Sequence, residues 1–177
     1  MTSKPTLGYL GLGLMGSQMC KRLVENGYQV TGFDPQSEKV DAAVAHGALA
    51  ADSPRAVAQA SDIVLACVIT PPALTEAMFG PDGIVEGAAE GKIFLDHSTT
   101  IADKTRDMAA RLKSETGMGW VDAPVSGGPP AAGTGGLAIM VGGDKSDVTA
   151  VKPVLDILGQ NTHMGPLGAG QVTKMVN

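Results

Sequence analysis

A hydroxyl and two glycines follow one another in the second half of the chain. Ser126 precedes Gly127 and Gly128, so its hydroxyl sits beside backbone N–H groups that no side chain shields. Such a cluster can hold an anion such as a carboxylate. Taken alone, the segment is interpreted equally well as an ordinary glycine turn before Pro129 and Pro130.

An amine and an amide lie near the end of the chain. Lys174 and Asn177 are three residues apart, so they share one face if the segment is helical. The amine can exchange a proton with a substrate oxygen while the amide fixes its direction. An isolated helix lysine is more often simply solvated. The catalytic interpretation therefore depends on the motifs that precede it.

A glycine-rich turn opens the chain. Gly11, Gly13 and Gly16 follow the apolar run Leu7–Leu10 and precede a helical pattern from about Ser17. This spacing allows a tight turn, a close approach to a pyrophosphate and close packing of helix on strand. The predicted cofactor contacts are Gly11, Leu12, Gly13, Leu14, Met15 and Gly16. The alternative is a purely structural turn.

Asp34 ends the next predicted strand, eighteen residues after Gly16. A carboxylate at this position accepts hydrogen bonds from the adenosine ribose hydroxyls and repels a 2′-phosphate. The sequence therefore predicts NAD rather than NADP as the cofactor. The alternative role for Asp34 is that of a helix cap.

A polar segment follows the apolar run Ile93–Leu95. Ser98 or Thr99 could contact the nicotinamide half of the cofactor or cap the next helix, and the sequence leaves both open. His97 is interpreted as structural. His46 and His163 have no partners at metal-ligand spacing, so no metal site is predicted.

Short apolar runs alternate with helical patterns along the chain. The predicted strands are Leu7–Leu10, Gln29–Phe33, Ile63–Val68, Ile93–Leu95, Trp120–Val121 and Leu137–Val141. The predicted helices are Ser17–Asn26, Glu38–His46, Pro54–Gln59, Ile101–Ser114 and Lys145–Leu158. This alternation predicts an α/β fold, a doubly wound and mainly parallel Rossmann sheet. The stretch Gly127–Gly136 is interpreted as a loop at the strand ends.

The chain is expected to divide near residue 165. Residues 1–164 form the predicted dinucleotide-binding domain, and 165–177 begin an inter-domain helix that starts at about Gln171. Because so short a helix is unstable alone, we expect that a longer natural protein continues past Asn177 and that this chain is its N-terminal domain. The alternative is a natural end with a frayed tail.

Composition bounds the function. Apolar residues make up 44% of the 177, and the net charge of −5 gives no reason to expect nucleic acid or a membrane surface as a partner. Cys20 and Cys67 are the only cysteines, and we expect buried free thiols in a reducing cytoplasm.

Together these motifs resemble the β-hydroxyacid dehydrogenase family, which includes the 3-hydroxyisobutyrate dehydrogenases and tartronate semialdehyde reductases. The resemblance runs through GYLGLGLMGSQM, DAPVSGGPPAAGTGGLAIMVGG and GAGQVTKMVN, in the family's order. It implies an NAD-dependent oxidoreductase that acts on a small carboxylate substrate, and a homo-oligomer in the full-length protein.

The resemblance also implies residue roles. Ser126, Gly127 and Gly128 would bind substrate, Lys174 would be the catalytic acid–base group, and Asn177 belongs to the same motif. Val68 and Ile69 follow the strand where the family touches its cofactor, and Thr99 occupies the nicotinamide-ribose position.

The chain departs from the family pattern at two places. Ile69-Thr70 replaces the usual Pro then Asn or Asp, and Gly135-Gly136-Leu137 replaces Gly-Thr-Leu. Alternative functions are a 6-phosphogluconate dehydrogenase-like enzyme, against which Asp34 argues, an imine reductase, against which Lys174 argues, and a non-catalytic dinucleotide-binding module. The resemblance also implies a second, all-helical domain that closes the substrate cleft, and without it the chain is expected to be inactive while still able to bind NAD.

Overall fold

The computed structural model describes residues 4–177, which form one sheet flanked by helices. The strands are β1 (Leu7–Leu10), β2 (Val30–Phe33), β3 (Leu49–Ala50), β4 (Ile63–Ala66), β5 (Ile93–Asp96), β6 (Gly119–Asp122), β7 (Val125–Ser126), β8 (Leu137–Gly142) and β9 (Gly159–Gly165). The helices are α1 (Leu14–Glu25), α2 (Ser37–Ala45), α3 (Pro54–Gln59), α4 (Pro71–Phe79), α5 (Ala102–Thr116), α6 (Gly128–Thr134), α7 (Lys145–Leu158) and α8 (Ala169–Met175). A 3₁₀ turn covers Ile84–Glu86.

The strand order is β3-β2-β1-β4-β5-β6-β8-β7, with β9 paired to β8. The six strands from β3 to β6 in this order are parallel, whereas β8 runs antiparallel to β6 and β7 antiparallel to β8. The predicted α/β class and mainly parallel sheet are confirmed. Because the chain leaves β1 in one direction and later returns to β4 on its other side, a crevice opens at the carboxyl ends of β1 and β4.

The central strands are apolar because both of their faces are covered. Every residue of β1, β4, β5 and β6 is buried. On one face, Tyr9, Leu65 and Leu95 belong to a single apolar cluster. On the other, Phe94 and Trp120 pack edge to face with ring centroids 4.5 Å apart. This rigid sheet fixes the strand ends that bear the polar residues.

Several elements differ from the sequence-based expectation. The strands β3, β7 and β9 and the helices α4 and α6 were not predicted. The interpretation of Gly127–Gly136 as a loop was wrong, because Gly128–Thr134 forms α6. Proline at the start of this helix supplies a preset φ, and Gly135 ends it in the left-handed conformation at φ 75°.

The two helices that flank the predicted site also have different bounds. Helix α1 begins at Leu14 rather than about Ser17, so Gly16 lies within its first turn. Helix α8 begins at Ala169 and ends at Met175, which leaves Asn177 outside it. Across residues 4–177, no helix has the length and apolar character needed to cross a membrane.

Candidate functional site

An open cavity of about 510 Å³ lies at the carboxyl ends of β1, β4 and β5. Its lining consists of Gly13, Leu14, Met15, Gly16, Cys67, Val68, Ile69, His97, Ser98, Thr99, Val125, Ser126, Gly127, Gly128 and Lys174. A second cavity of about 310 Å³ shares Gly13, Val68 and Ile69 with it and reaches Gly11 and Asp34. The predicted cofactor, substrate and catalytic segments therefore meet along one cleft.

The glycine-rich turn leaves space where the sequence predicts a pyrophosphate. A Cβ at Gly13 would meet no atom within 4 Å, so the backbone there faces an open cradle. Gly11 has φ 84°, and a Cβ at that position would collide with the carbonyl oxygen of Cys67. A Cβ at Gly16 would collide with the carbonyl oxygen of Gly11. Two glycines thus bring the chain close together, while the third keeps the cradle clear, as a bound dinucleotide would require.

Asp34 lies at the end of β2 and is only 8% exposed. Its Oδ2 accepts a hydrogen bond from the Leu12 N–H at 2.9 Å, and its Oδ1 accepts one from the Gln36 N–H at 3.0 Å. Lys39 Nζ is 3.6 Å from Oδ1. The carboxylate is thereby fixed beside the glycine-rich turn, with further acceptor capacity on each oxygen for ribose hydroxyls.

Two loops form the middle of the cleft. Val68 and Ile69 follow β4, and the Ile69 side chain is 91% exposed. Ser98 and Thr99 follow β5, and both line the larger cavity. The Ser98 hydroxyl accepts a hydrogen bond from the Val68 N–H at 3.0 Å, which joins the two loops. Of the two residues between which the sequence could not choose, Ser98 is buried and engaged, whereas Thr99 is exposed.

The proposed anion cradle, formed by Ser126, Gly127 and Gly128, combines the end of a strand with the start of a helix. Ser126 ends β7, and α6 follows from Gly128. Gly127 and Gly128 adopt φ values of 133° and 73°, which L-residues with side chains avoid. The backbone conformation beside the Ser126 hydroxyl therefore requires glycine at both positions.

The predicted catalytic pair, Lys174 and Asn177, is arranged differently from the helical spacing that the sequence suggested. Lys174 lies in the last turn of α8 and lines the larger cavity. Asn177 lies beyond the helix end, so the expectation that one helical face carries both residues was wrong. Its Nδ2 instead donates a hydrogen bond to Ser126 Oγ at 3.3 Å. Asn177 therefore reaches the site through Ser126 rather than through Lys174.

Asp122 and Gln171 had no role in the sequence analysis, yet both are fully buried beside the site. Asp122 ends β6, and its two carboxylate oxygens accept from the N–H groups of Gly168 and Gln171 at 2.7 and 2.9 Å. Burial raises the pKa of Asp122, and these N–H donors oppose that increase. A carboxylate at the end of an otherwise buried strand was the sequence signal that could have identified it.

His97 lines the larger cavity although it is almost fully buried, and Asp96 precedes it at the end of β5. His97 is 2% exposed, and its Nδ1 is 2.7 Å from the Ala123 carbonyl oxygen, which makes Nδ1 the protonated nitrogen. Burial lowers the pKa of His97 to about 4, so the ring is neutral at pH 7. Burial also raises the pKa of Asp96 to about 7, although hydrogen bonds from Ser98 lower it. The structural interpretation of His97 fits this environment.

Of the remaining candidate groups, Cys67 lines the larger cavity, whereas His163 and Cys20 do not. Among residues 4–177, no group of three or more His, Cys, Asp or Glu side chains could hold a metal ion. His163 Nε2 is 2.9 Å from the Gly143 carbonyl oxygen. Cys20 and Cys67 are free, and burial raises the pKa of both thiols to about 12.

Comparison with known proteins shows which proteins this chain is similar to. Residues 6–165 match the family model described as the NAD binding domain of 6-phosphogluconate dehydrogenase. The chain is 37% identical over 174 residues to 2-hydroxy-3-oxopropionate reductase of Escherichia coli, covering 97% of this chain and 58% of that protein. It is 37% identical over 172 residues to 2-(hydroxymethyl)glutarate dehydrogenase of Eubacterium barkeri, covering 97% and 57%.

A solved structure agrees closely with the fold. The 3-hydroxyisobutyrate dehydrogenase of Mycobacterium tuberculosis, solved with L-serine, superposes with a TM-score of 0.93 at 35% identity. The match covers 99% of this chain and 59% of that one. The chain thus spans somewhat less than three fifths of the length of these relatives.

Proposed function

Because this chain belongs to the β-hydroxyacid dehydrogenase family and matches its NAD-binding domain, we propose that the protein carrying it transfers a hydride between NAD and a small 3-hydroxy acid or semialdehyde. The observation that carries this proposal is the single cavity lined by the glycine-rich turn, the Ser126–Gly128 segment and Lys174. The relatives' names, 2-(hydroxymethyl)glutarate dehydrogenase and 2-hydroxy-3-oxopropionate reductase, support a short carboxylate as substrate.

The residues of the cleft suit a dinucleotide. Gly11 to Gly16 would hold the pyrophosphate, Asp34 the adenosine ribose, and Val68, Ile69 and Thr99 the nicotinamide half. When bound, the cofactor supplies the nicotinamide ring that accepts or returns the hydride. The open cradle at Gly13 supports this assignment because any side chain there would fill it.

Lys174 supplies the proton chemistry in this proposal. In the oxidative direction its amine takes the proton of the substrate hydroxyl, and in the reductive direction it returns that proton. Ser126 and the N–H groups of Gly127 and Gly128 hold the substrate carboxylate, which orients the carbinol hydrogen. Asn177 holds the Ser126 hydroxyl in place.

A substrate screen tests the proposal. The whole protein that carries these residues is incubated with NAD and a panel of short 3-hydroxy acids, and with NADH and the matching semialdehydes, while NADH absorbance is followed. We expect turnover with at least one compound and its loss in Lys174→Ala. Absence of turnover across the panel, with NAD binding retained, would favour a non-catalytic dinucleotide-binding module.

A second candidate is a 6-phosphogluconate dehydrogenase-like activity, which the description of the matching family model favours. That activity would accept 6-phosphogluconate and would be expected to use NADP. Asp34 opposes a 2′-phosphate, so we place this candidate second. Adding 6-phosphogluconate with each cofactor to the same screen separates the two.

The division of the protein stays a proposal. We assign residues 1–164 to the dinucleotide-binding domain and 165–177 to the start of the inter-domain catalytic helix. Val172, Met175 and Val176 are 50%, 69% and 85% exposed, which supports a further part of the protein packing there. We therefore expect no more than trace dehydrogenase activity from residues 1–177 alone. Turnover by this fragment at the rate of the whole protein would overturn the division.

The oligomeric state and the cellular location of the protein are two further proposals. We propose a homo-oligomer that acts in the cytoplasm, where two free cysteines persist without oxidation. Sedimentation of the whole protein and fractionation of its host cells test the two statements.

A further inference from the structure

Gln171 is a buried polar residue whose side chain is fully engaged. It has 0% exposure, yet it lies in the first turns of α8, three residues before Lys174. Its Oε1 accepts a hydrogen bond from the Thr100 N–H at 3.1 Å, and its Nε2 donates to the Ser98 carbonyl oxygen at 2.8 Å. One side chain therefore bonds to residues on both sides of Thr99.

The backbone of the same residue is anchored to the sheet. The Gln171 N–H donates to Asp122 Oδ2, while the Gly168 N–H donates to Asp122 Oδ1. A Cβ at Gly170 would collide with the Met140 carbonyl oxygen, so the helix approaches β8 closely. The start of α8 is thus held by β6 on one side and by the loop after β5 on the other. Two anchors in different directions fix both the position and the rotation of the helix.

The loop that Gln171 grips is itself part of the cleft. The Ser98 hydroxyl accepts from the Val68 N–H, and the Ser98 N–H donates to Asp96 Oδ1 at 2.9 Å. A continuous chain of hydrogen bonds consequently runs from the loop after β4, through Ser98 and Gln171, to Asp122. Thr99 and Lys174 line the cavity from the two segments that this chain joins.

We propose that Gln171 is a positioning residue that locks the helix bearing Lys174 to the Ser98–Thr100 loop, so that the amine keeps its place relative to the nicotinamide side of the cleft. The inference rests on the proposed function of Lys174. Gln171 does not line the cavity, and its effect passes through the helix and the loop. Misplacement of a catalytic group by about 1 Å can cost roughly a hundredfold in rate.

The test replaces Gln171 in the whole protein. Gln171→Met keeps the length of the side chain but removes both of its hydrogen bonds. We expect kcat to fall by about tenfold to a hundredfold with little change in KM. Since proton transfer by a displaced amine is slower, the solvent isotope effect on kcat should increase. Amide exchange at Thr100, measured without substrate, should accelerate.

Three variants serve as controls. Gln59→Met places the same side chain at an exposed position at the end of α3 and should leave every readout unchanged. Ile84→Val trims a buried residue of the 3₁₀ turn. It should lower stability without altering the isotope effect or Thr100 exchange. In Gln171→Glu, burial raises the pKa of the new carboxyl group, and its protonated form accepts from the Thr100 N–H and donates to the Ser98 carbonyl oxygen, so it should retain more activity than Gln171→Met.

The outcomes separate this inference from the proposed function. A Gln171→Met enzyme with normal kcat beside an inactive Lys174→Ala enzyme would overturn the positioning role alone. Normal turnover by Lys174→Ala would overturn the proposed function of the lysine. A lower kcat with an unchanged isotope effect and unchanged Thr100 exchange would reduce Gln171 to a folding role, because those two readouts are also expected to stay unchanged in the destabilised Ile84→Val. If Gln171→Met does not fold, the same readouts on Gln171→Glu decide the question, because at a pH that ionises its carboxyl group the donor for the Ser98 carbonyl oxygen is lost.

Discussion

Asn177 donates a hydrogen bond to the hydroxyl oxygen of Ser126 across 51 positions of sequence, at 3.3 Å. Asn177 follows the end of α8, and Ser126 ends β7, so the contact joins the helix side of the cleft to the proposed anion cradle. Because the hydroxyl oxygen accepts from Asn177, its own proton is available to donate to a bound carboxylate.

This contact predicts that the two residues act on the substrate as a unit. Ser126→Ala should raise KM far more than it lowers kcat, since a carboxylate is held alike in ground and transition states. Asn177→Ala should weaken the interaction between the Ser126 hydroxyl and the substrate carboxylate, because the hydroxyl loses the hydrogen bond that holds it in place. The double variant should lose less free energy in kcat/KM than the two single losses added together, by about 0.5 kcal/mol or more.

Steady-state kinetics of the four proteins in this cycle measure the coupling. Asn161→Ala is the matched control, because Asn161 Nδ2 contacts the exposed Asp156 on the surface, at 2.8 Å. Strictly additive losses for Ser126→Ala and Asn177→Ala would show that the contact has no part in substrate binding.

Asp34 predicts discrimination between the two dinucleotides. Replacing a ribose hydroxyl by a 2′-phosphate removes a charge-assisted hydrogen bond and adds repulsion, at a cost on the order of 1.5–3 kcal/mol. Calorimetric titration of residues 1–177 with each cofactor should show NAD binding more tightly by that margin. Asp34→Ala should reduce the difference in affinity between NAD and NADP. The control Asp52→Ala removes an exposed carboxylate and should leave this affinity difference unchanged. Equal affinity of the unaltered chain for NAD and NADP would contradict the prediction.

The fold could be predicted well where periodicity was strong. The helices α3 and α7 have the predicted bounds, and the buried strands β1 and β4 lie within the predicted runs. The two-residue strands β3 and β7 could not be found, since segments so short carry no period. Helix α6 was missed because glycine and proline suggested a loop. Their effect at helix ends depends on tertiary contacts that composition does not reveal.

The site could be predicted as a set of segments but not as a network. Gly13 and Ser126 line one cavity because β1 and β7 run in the same direction and end at the same edge of the sheet, and α8 brings Lys174 to that edge. The bonds that hold these segments together were not visible. The Gln171 side chain bonds to Ser98 and Thr100 over more than 70 positions, and nothing in its local sequence indicates that partner.

Asp96 and His97 predict opposing pH dependences of stability. The pKa of Asp96 rises from 3.8 to about 7 on folding, so the folded state retains a proton that the unfolded state has lost. Its contribution to stability therefore declines as the pH rises from about 4 to 7. The pKa of His97 falls from 6.5 to about 4, so here the unfolded state holds the extra proton. Its contribution increases as the pH rises from about 4 to 6.5.

Single substitutions should reveal each dependence. Asp96→Asn keeps an acceptor for the Ser98 N–H and removes the contribution to stability that declines as the pH rises. The slope of the unfolding free energy between pH 4 and 6.5 should become more positive than in the unaltered chain by about 1.4 kcal/mol per pH unit. His97→Gln should change the slope by a similar amount in the opposite direction. Urea unfolding of residues 1–177 at several pH values measures both, and parallel curves for all three proteins would refute the pKa assignments.

Lys174 predicts the largest catalytic effect. It lines the cavity with the anion cradle, and general acid–base catalysis typically contributes about 10²–10⁴-fold in rate. Lys174→Ala in the whole protein should lower kcat by that order and leave NAD affinity nearly unchanged, because we assign cofactor binding to the glycine-rich turn and Asp34. Added alkylamines should restore part of the rate if the missing group is an amine. Lys104→Ala, at an exposed position on α5, is the control and should keep normal kcat without any response to amines. Near-normal kcat in Lys174→Ala across the pH range would remove the lysine from the mechanism. The buried and neutral His97 would then be the next group to replace.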